Sequence, residues 1–447
     1  MATETGFSFT QDSLREIAAD VLRHAKTQGA SACDVDVSEG WGHSVTVRQQ
    51  EVDTLEYHRD KGVSVTVYLG QQRGHASTTD FSSRALRDTV AAAVSIARFT
   101  ASDPAAGLPD ADQLARDPRD LKLFSPWATD VEASIDMARR CEAAGFAVSP
   151  LVTNSEGASV STQQSQFVAA NSLGFCEGYA STRHGFGCSM IAGEGDGMQR
   201  DDWYVTRRDA ATLPSPESVG DYAARRALSR LNARKLATCE VPVLFEAPLA
   251  ASLIGHFVSA ASGSSLYRRS SFLLDALGTK VFSNAVTLIE DPFLPGGLAS
   301  GWFDDEGVAT AQREVVTRGK LNGWFLGSYS ARKLGMRSTG NAGGAHNLIL
   351  KPGKLDLSGL LNKMGRGLFV TELLGHGVNT VTGDYSRGAA GYWVENGEIA
   401  YPVHEITIAG NLRDMFKDIV ACGNDTLVRG AKHCGSVLVG NMTVAGD

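Results

Sequence analysis

Apolar residues recur at helical spacing from Leu14 through Ile17, Ala18, Val21 and Leu22 to Ala25, which predicts an opening helix with Ser13 and Glu16 as its capping box. Alternation then takes over. Ser44–Tyr57 alternates Val and Thr, and Gly62–Gly70 sets Val63, Val65, Val67 and Leu69 on one face, so both stretches read as strands. Leu86, Val90, Ala93, Val94 and Ala97 restore the helical stripe over about 83–99. Between about 101 and 127 the pattern lapses, and Asp103-Pro104, Leu108-Pro109, Asp117-Pro118 and Ser125-Pro126 mark a linker or a long surface connection.

The middle of the chain reads as a helix near 130–143, a glycine-punctuated run of antiparallel strands over 150–208, and a helix opened by Ser215-Pro216, a good N-cap and N1 pair. From about 239 an apolar strand, Val241–Phe245, leads into a helix beginning near Pro248, and many short strands follow. Asn396-Gly397 supplies the two positive φ angles of a type I′ hairpin. A helix near 411–421 and a strand over 435–445 close the chain. The expected class is α+β, mainly antiparallel sheets with flanking helices. It divides into a helix–strands–helix domain at 1–125, a central α+β segment at 126–236 and a β-rich domain at 237–447.

Composition narrows the function classes. The 447 residues can bury more than one core, and 48 glycines fit many turns. A net charge of −8 should repel nucleic acid, so direct DNA contact is not expected. No basic run followed by an apolar stretch opens the chain, and no window approaches 18 uninterrupted apolar residues. The seven cysteines show no C-x-x-C spacing. Together these features predict a cytoplasmic protein with reduced thiols and no membrane span.

Familiar catalytic motifs are mostly missing. There is no G-x-S-x-G elbow and no G-x-x-x-x-G-K-[ST] loop, and Gly193–Gly197 reads as a hairpin loop rather than a dinucleotide fingerprint. His404-Glu405 lacks a histidine at 408 or 409 and lies in a predicted strand, which excludes a zincin helix there. His376 reads as a loop histidine held by backbone contacts. His256 sits on the helix after the Val241–Phe245 strand, off the apolar face of Leu253, Phe257 and Ala260. A hydrogen-bonded structural histidine and a ligand both remain open for it.

The segments Leu266–Asp275, Gly383–Gly391 and Glu405–Leu412, in that order and at this length, resemble the TldD/PmbA family, and within it the PmbA (TldE) branch. In that family the TldD branch carries H-E-x-x-x-H on a helix and a cysteine near the C-terminus, as a zinc metallopeptidase would. The resemblance sets Ala251 and Ser252 where the first His and the Glu stand. It keeps His256 as the second histidine and Cys434, in Cys434-Gly435, as the cysteine. These two are vestigial metal candidates, and no catalytic residue is assigned.

Residues five apart on an ideal helix are rotated by roughly 500°, about 140° off a common face, so such a pair would also need a π-like turn. His433 or His346 would be the substitutes to hand. The resemblance implies a partner, a TldD-like zinc peptidase subunit, with zinc in the partner and none in this chain, and a homodimer when the chain is isolated.

The implied substrate is an extended or unfolded peptide, taken by strand addition in the last segment. Arg268, Arg269, Arg332 and Arg387 are candidates for its carboxylate, unless they form ordinary surface ion pairs. Two alternatives stand beside this reading: a metallopeptidase with a non-standard zinc site, and a protein-binding modulator of the DNA gyrase type.

Overall fold

The structure is a computed structural model that describes residues 6–446. In the N-terminal half, α1 (Gln11–Thr27) leads to β1 (Ala32–Arg48), β2 (Glu51–Leu69), β3 (Gln72–Thr78) and α2 (Ser83–Phe99). After the connection come α3 (Val131–Ala147), β4 (Val152–Asn171), β5 (Cys176–Ala192), β6 (Gln199–Arg207) and α4 (Pro216–Ser229). The six strands form one antiparallel sheet in the order β3-β2-β1-β4-β5-β6, which draws on both the 1–125 and the 126–236 segments.

Alternation along β1 explains how helices cover one face. Cys33, Val35 and Val37 bury against α1 and α2, while Val45 and Val47 join a second core with α3 and α4. Between these cores the same face carries buried Glu39 and His43. Glu39 accepts from the Ser8 and Phe9 amides, and His43 Nε2 lies 2.9 Å from Ser134 Oγ. Asp34 and Asp36 point to the opposite face.

Three local readings change. The cap of α1 is Thr10, whose hydroxyl accepts from the Ser13 amide, so Ser13 stands inside the helix. The Val/Thr alternation over 44–57 continues through a turn: Gln49 and Gln50 both have positive φ, 51° and 66°, and separate β1 from β2. Neither residue favours that conformation. The buried Glu142 carboxylate of α3 holds it, accepting from the Gln49 and Gln50 amides at 2.8 and 2.7 Å. The last helix is also shorter than 411–421, as detailed below.

The C-terminal half runs β7 (Cys239–Phe245), α5 (Ala247–Ala260), α6 (Gly263–Tyr267), β8 (Leu288–Glu290), β9 (Arg313–Thr317), β10 (Lys320–Leu321), α7 (Ser328–Lys333), β11 (Leu348–Leu350) and α8 (Leu357–Met364). It finishes with β12 (Gly367–Leu374), β13 (Asp384–Glu395), β14 (Glu398–Asn411), α9 (Leu412–Lys417), β15 (Ile419–Cys422), β16 (Leu427–Val428), β17 (Lys432–Cys434) and β18 (Val437–Ala445). Thus α9 stops at Lys417, and Ile419–Cys422 is a strand because it pairs with β18.

One sheet has the order β10-β9-β8-β11-β17-β16 and another β14-β13-β12-β7-β18-β15. In the latter β14 also pairs with β18, closing five strands into a barrel around Val243, Phe245, Val370, Ile408 and Val439. Asn396 and Gly397 take φ of 52° and 79° at the β13–β14 turn, as their residue types require. At Glu405, φ of 51° marks a bulge that interrupts the side-chain alternation of β14.

The 101–127 connection is held between the halves. Ala115, Leu121 and Leu123 share an apolar cluster with Phe175, Trp302 and Phe303. Mixed α+β architecture with mainly antiparallel sheets is therefore what the chain adopts. No helix among the described residues is long and apolar enough to cross a membrane.

Candidate functional site

Strand β7 delivers the chain directly into α5, whose Pro248 stands in the first turn and whose N-cap is Glu246. Leu253, Ile254 and Phe257 bury one face of α5 in the barrel core. The helix is regular from Ala247 to Ala260, with no widened turn. Ala251 is half-buried, Ser252 is exposed and His256 is half-buried.

The His256 ring meets the Tyr385 ring edge-on at 6.0 Å. Burial, then the Arg387 and Lys432 charges, lower the pKa of His256 and keep the imidazole neutral. Strand β17 runs close by, since a Cβ placed on Gly255 would lie 3.4 Å from Lys432 Cε.

Cys434 ends β17 and is buried, its Sγ donating to the Gly435 carbonyl at 3.2 Å. Burial, then Cys422 and Asp425, push its thiol well above the ordinary range, against the opposing effect of Lys432. A metal-ligating thiolate needs the reverse shift.

The residues here do not fit a zinc ion. Two cations face His256, the counterpart position is Ala251, and among the described residues no group of three His, Cys, Asp or Glu side chains could hold a metal. The substitutes are committed elsewhere or isolated: His346 Nε2 lies 2.8 Å from the Gly340 carbonyl, and His433 Nε2 is buried without a hydrogen-bond partner.

The four arginines do not converge. Arg332 bonds the Ala105 and Gly107 carbonyls at 3.2 and 3.1 Å and also that of Leu108, which clamps the connection onto α7. Arg387 donates to the Leu374 carbonyl at 3.1 Å and is the one of the four that faces His256. Arg268 and Arg269 are exposed beside α6, where Arg268 bonds Tyr267 Oη at 3.1 Å. His376 is exposed in the loop after β12.

A second feature escaped the sequence reading. A cavity of about 740 Å³ lies between the face of β1 turned away from the helices and the C-terminal half, with Asp34, Asp36, Asp305 and Glu306 in its walls. Burial is the main cause that raises Asp34 and Asp36 to about 6, with Glu306 adding to the first and Asp305 to the second. Asp304, behind the wall, is raised to about 7, chiefly by burial. The alternation Asp34-Val35-Asp36-Val37 and the run Asp304-Asp305-Glu306 were the available signals.

An acid whose folded pKa lies above its unfolded value adds stability below the unfolded value and loses it as pH rises through the folded one. Asp36→Asn therefore stabilises the protein at pH 7.5, by about 1–2 kcal/mol after allowance for solvent contact. The gain shrinks as pH falls from about 6 toward 3.8. Denaturation midpoints of both proteins at pH 7.5 and 4.5 check this.

Comparison with known proteins gives matches along nearly the whole chain. Residues 33–97 match domain 1 of the PmbA/TldA metallopeptidases, 124–231 their central domain and 238–446 their C-terminal domain. Metalloprotease PmbA of Escherichia coli O157:H7 is 48% identical over 426 residues, covering 95% of this chain and 94% of that protein. A solved Bacteroides thetaiotaomicron protein, described as a proposed modulator of DNA gyrase, superposes with a TM-score of 0.92 at 25% identity, covering 100% of both chains. TldE of Thermococcus kodakarensis shares the fold, with a TM-score of 0.84 at 19% identity over 96% of this chain and 100% of that one.

Proposed function

Since the chain belongs to the PmbA/TldD family of metallopeptidases, in its PmbA (TldE) branch, we propose that it is the non-catalytic subunit of a two-chain peptidase that acts on extended peptides in the cytoplasm. The observation that carries this reading is the state of α5. A regular helix carries Ala251 and Ser252 in place of a ligand and a base, and its His256 meets the charges of Arg387 and Lys432, an electrostatic setting that repels a dication. Zinc, and the polarisation of the scissile carbonyl that it supplies, then belong to the TldD-like partner.

This chain contributes a wall and an edge. β3 pairs with β2 only from Val63 to Leu69, so among the described residues no strand pairs with the outer edge of Glu51–Gly62. An extended substrate can add there as a strand, bound through its main chain with little regard for sequence. Exposed Leu55 and Tyr57 supply apolar contact on one face of that strand. That edge supports strand addition in the first half of the chain. A protein-binding modulator, the role named for the Bacteroides relative, is the second reading, with the net charge of −8 weighing against direct DNA contact.

The test has two steps. Elemental analysis of the chain purified alone should find no stoichiometric zinc, and hydrolysis of an unstructured peptide should require both chains. Stoichiometric zinc lost in His256→Ala, together with chelator-sensitive hydrolysis by the isolated chain, would overturn the proposal.

A further inference from the structure

We infer that the cavity between β1 and the 304–306 turn is a binding site for a ligand carrying primary ammonium groups on an apolar chain. Its walls hold five acidic side chains against two basic ones, and one of the five, Asp103, is already paired with Lys333 at 2.7 Å. The acids that remain face one another from separate elements. Asp36 on β1 opposes Asp305, which adds to the rise of its pKa. Asp34 meets Glu306, which raises its pKa, and Arg73, whose opposing effect is larger, while Glu306 also accepts from the Ser328 amide at 2.8 Å. Arg73 is the basic residue left to offset them, and it is exposed on β3.

The arrangement is built by the fold. Asp304 takes the Glu306, Val308 and Ala342 amides at 3.0, 2.9 and 2.9 Å, which fixes the turn that carries Asp305 and Glu306. Gly343, at φ of 93°, leaves the room that Asp305 occupies, since a Cβ there would lie 2.3 Å from Asp305 Oδ2. Like charges held against each other across a void cost stability, and a cation between them removes that cost.

The carboxylates are too dispersed for a metal ion, as no group of three among the described residues could hold one. A longer organic cation reaches several of them. The volume of about 740 Å³ lies within the range of small-molecule sites. Tyr68, Ala169 and Phe175 supply the apolar surface that a bare inorganic ion would not use. An ammonium of this kind comes from a peptide N-terminus or lysine, or from a free polyamine. The site stands apart from α5 and does not depend on the subunit reading.

Titration calorimetry of the full chain with spermidine, with lysyl-leucine amide and with the fully acetylated form of that dipeptide tests the proposal. Binding is expected for an ammonium-bearing probe and not for the acetylated one. Preference for the dipeptide over spermidine identifies a peptide end as the source, and the converse identifies a polyamine. Asp36→Asn with Asp305→Asn should weaken the bound probe by about tenfold or more. Both replacements relieve repulsion, and an unlowered denaturation midpoint shows that the variant is folded. Absence of heat with both amines, or binding unchanged in the double variant, overturns the proposal.

Discussion

Gly220→Ala lowers the stability of the protein by about 3 kcal/mol, although alanine in a helix interior ordinarily gains about 1 kcal/mol over glycine. The sign is set by the crossing of α3 and α4. A Cβ on Gly220 would stand 1.8 Å from the Cys141 carbonyl oxygen and 3.2 Å from the Gly145 amide nitrogen. Both obstacles are backbone, so no rotamer change relieves them, and the two helices must move apart. That separation opens the core formed by Ala138, Cys141, Val219, Ala223 and Ala224 against the sheet.

Gly255→Ala is the control, because its Cβ would meet only the flexible end of Lys432 at 3.4 Å. There the helix propensity prevails, and the protein gains about 0.5–1 kcal/mol. Opposite shifts of the two denaturation midpoints are expected. A fall of the same size in both would show that close approach is not what sets the cost at Gly220.

The sequence made legible those features whose cause is local. Ser215-Pro216 caps α4 as their chemistry requires, with Ser215 accepting from the Ser218 amide. Asn396-Gly397 turns the β13–β14 hairpin for the same reason. Features with distant causes were not legible. The Gln49-Gln50 turn depends on Glu142, 92 positions away, so alternation alone carried the expected strand across it. Ile419–Cys422 has residues that a helix tolerates, and it becomes a strand only because β18 offers a ladder.

The same division applies to the sites. Loss of the metal pattern at Ala251 and Ser252 can be read from the sequence once the family is recognised. The cations beside His256 cannot, because Arg387 and Lys432 come from β13 and from β17 on a different sheet. The cavity was hidden for a related reason. Its carboxylates lie on β1 and on a turn more than half the chain away, and only the packing of Trp302 and Phe303 against the first sheet brings them together.

Arg230→Leu should cost about 3–5 kcal/mol, the expected penalty for removing one partner from a buried charge network. Arg230 is 5% exposed and binds Asp201 Oδ2 through Nε at 2.6 Å and Glu372 through Nη1. Arg226 lies one turn earlier on α4, its Nε 3.2 Å from Asp201 Oδ1 and its two Nη atoms on Glu246 at 2.5 and 3.1 Å. Burial alone would lower the Arg226 pKa, but Glu246 and Asp201 outweigh it and hold the guanidinium charged. Leucine at 230 leaves Asp201 with one cation and Glu372 with none from this network.

The damage should not stay local, because the network joins the parts on which function rests. Arg226 and Arg230 belong to α4, Asp201 to β6, Glu372 to β12, and Glu246 is the N-cap of α5. Glu246 makes no side-chain cap bond to its own helix because Arg226 holds both carboxylate oxygens. The start of α5 is therefore set by α4 as well as by the barrel. Hydrogen exchange in Arg230→Leu should quicken in the first turn of α5 as well as in α4, alongside the lower midpoint. Protection of α5 unchanged while α4 loosens would show that the barrel alone fixes the helix that carries His256.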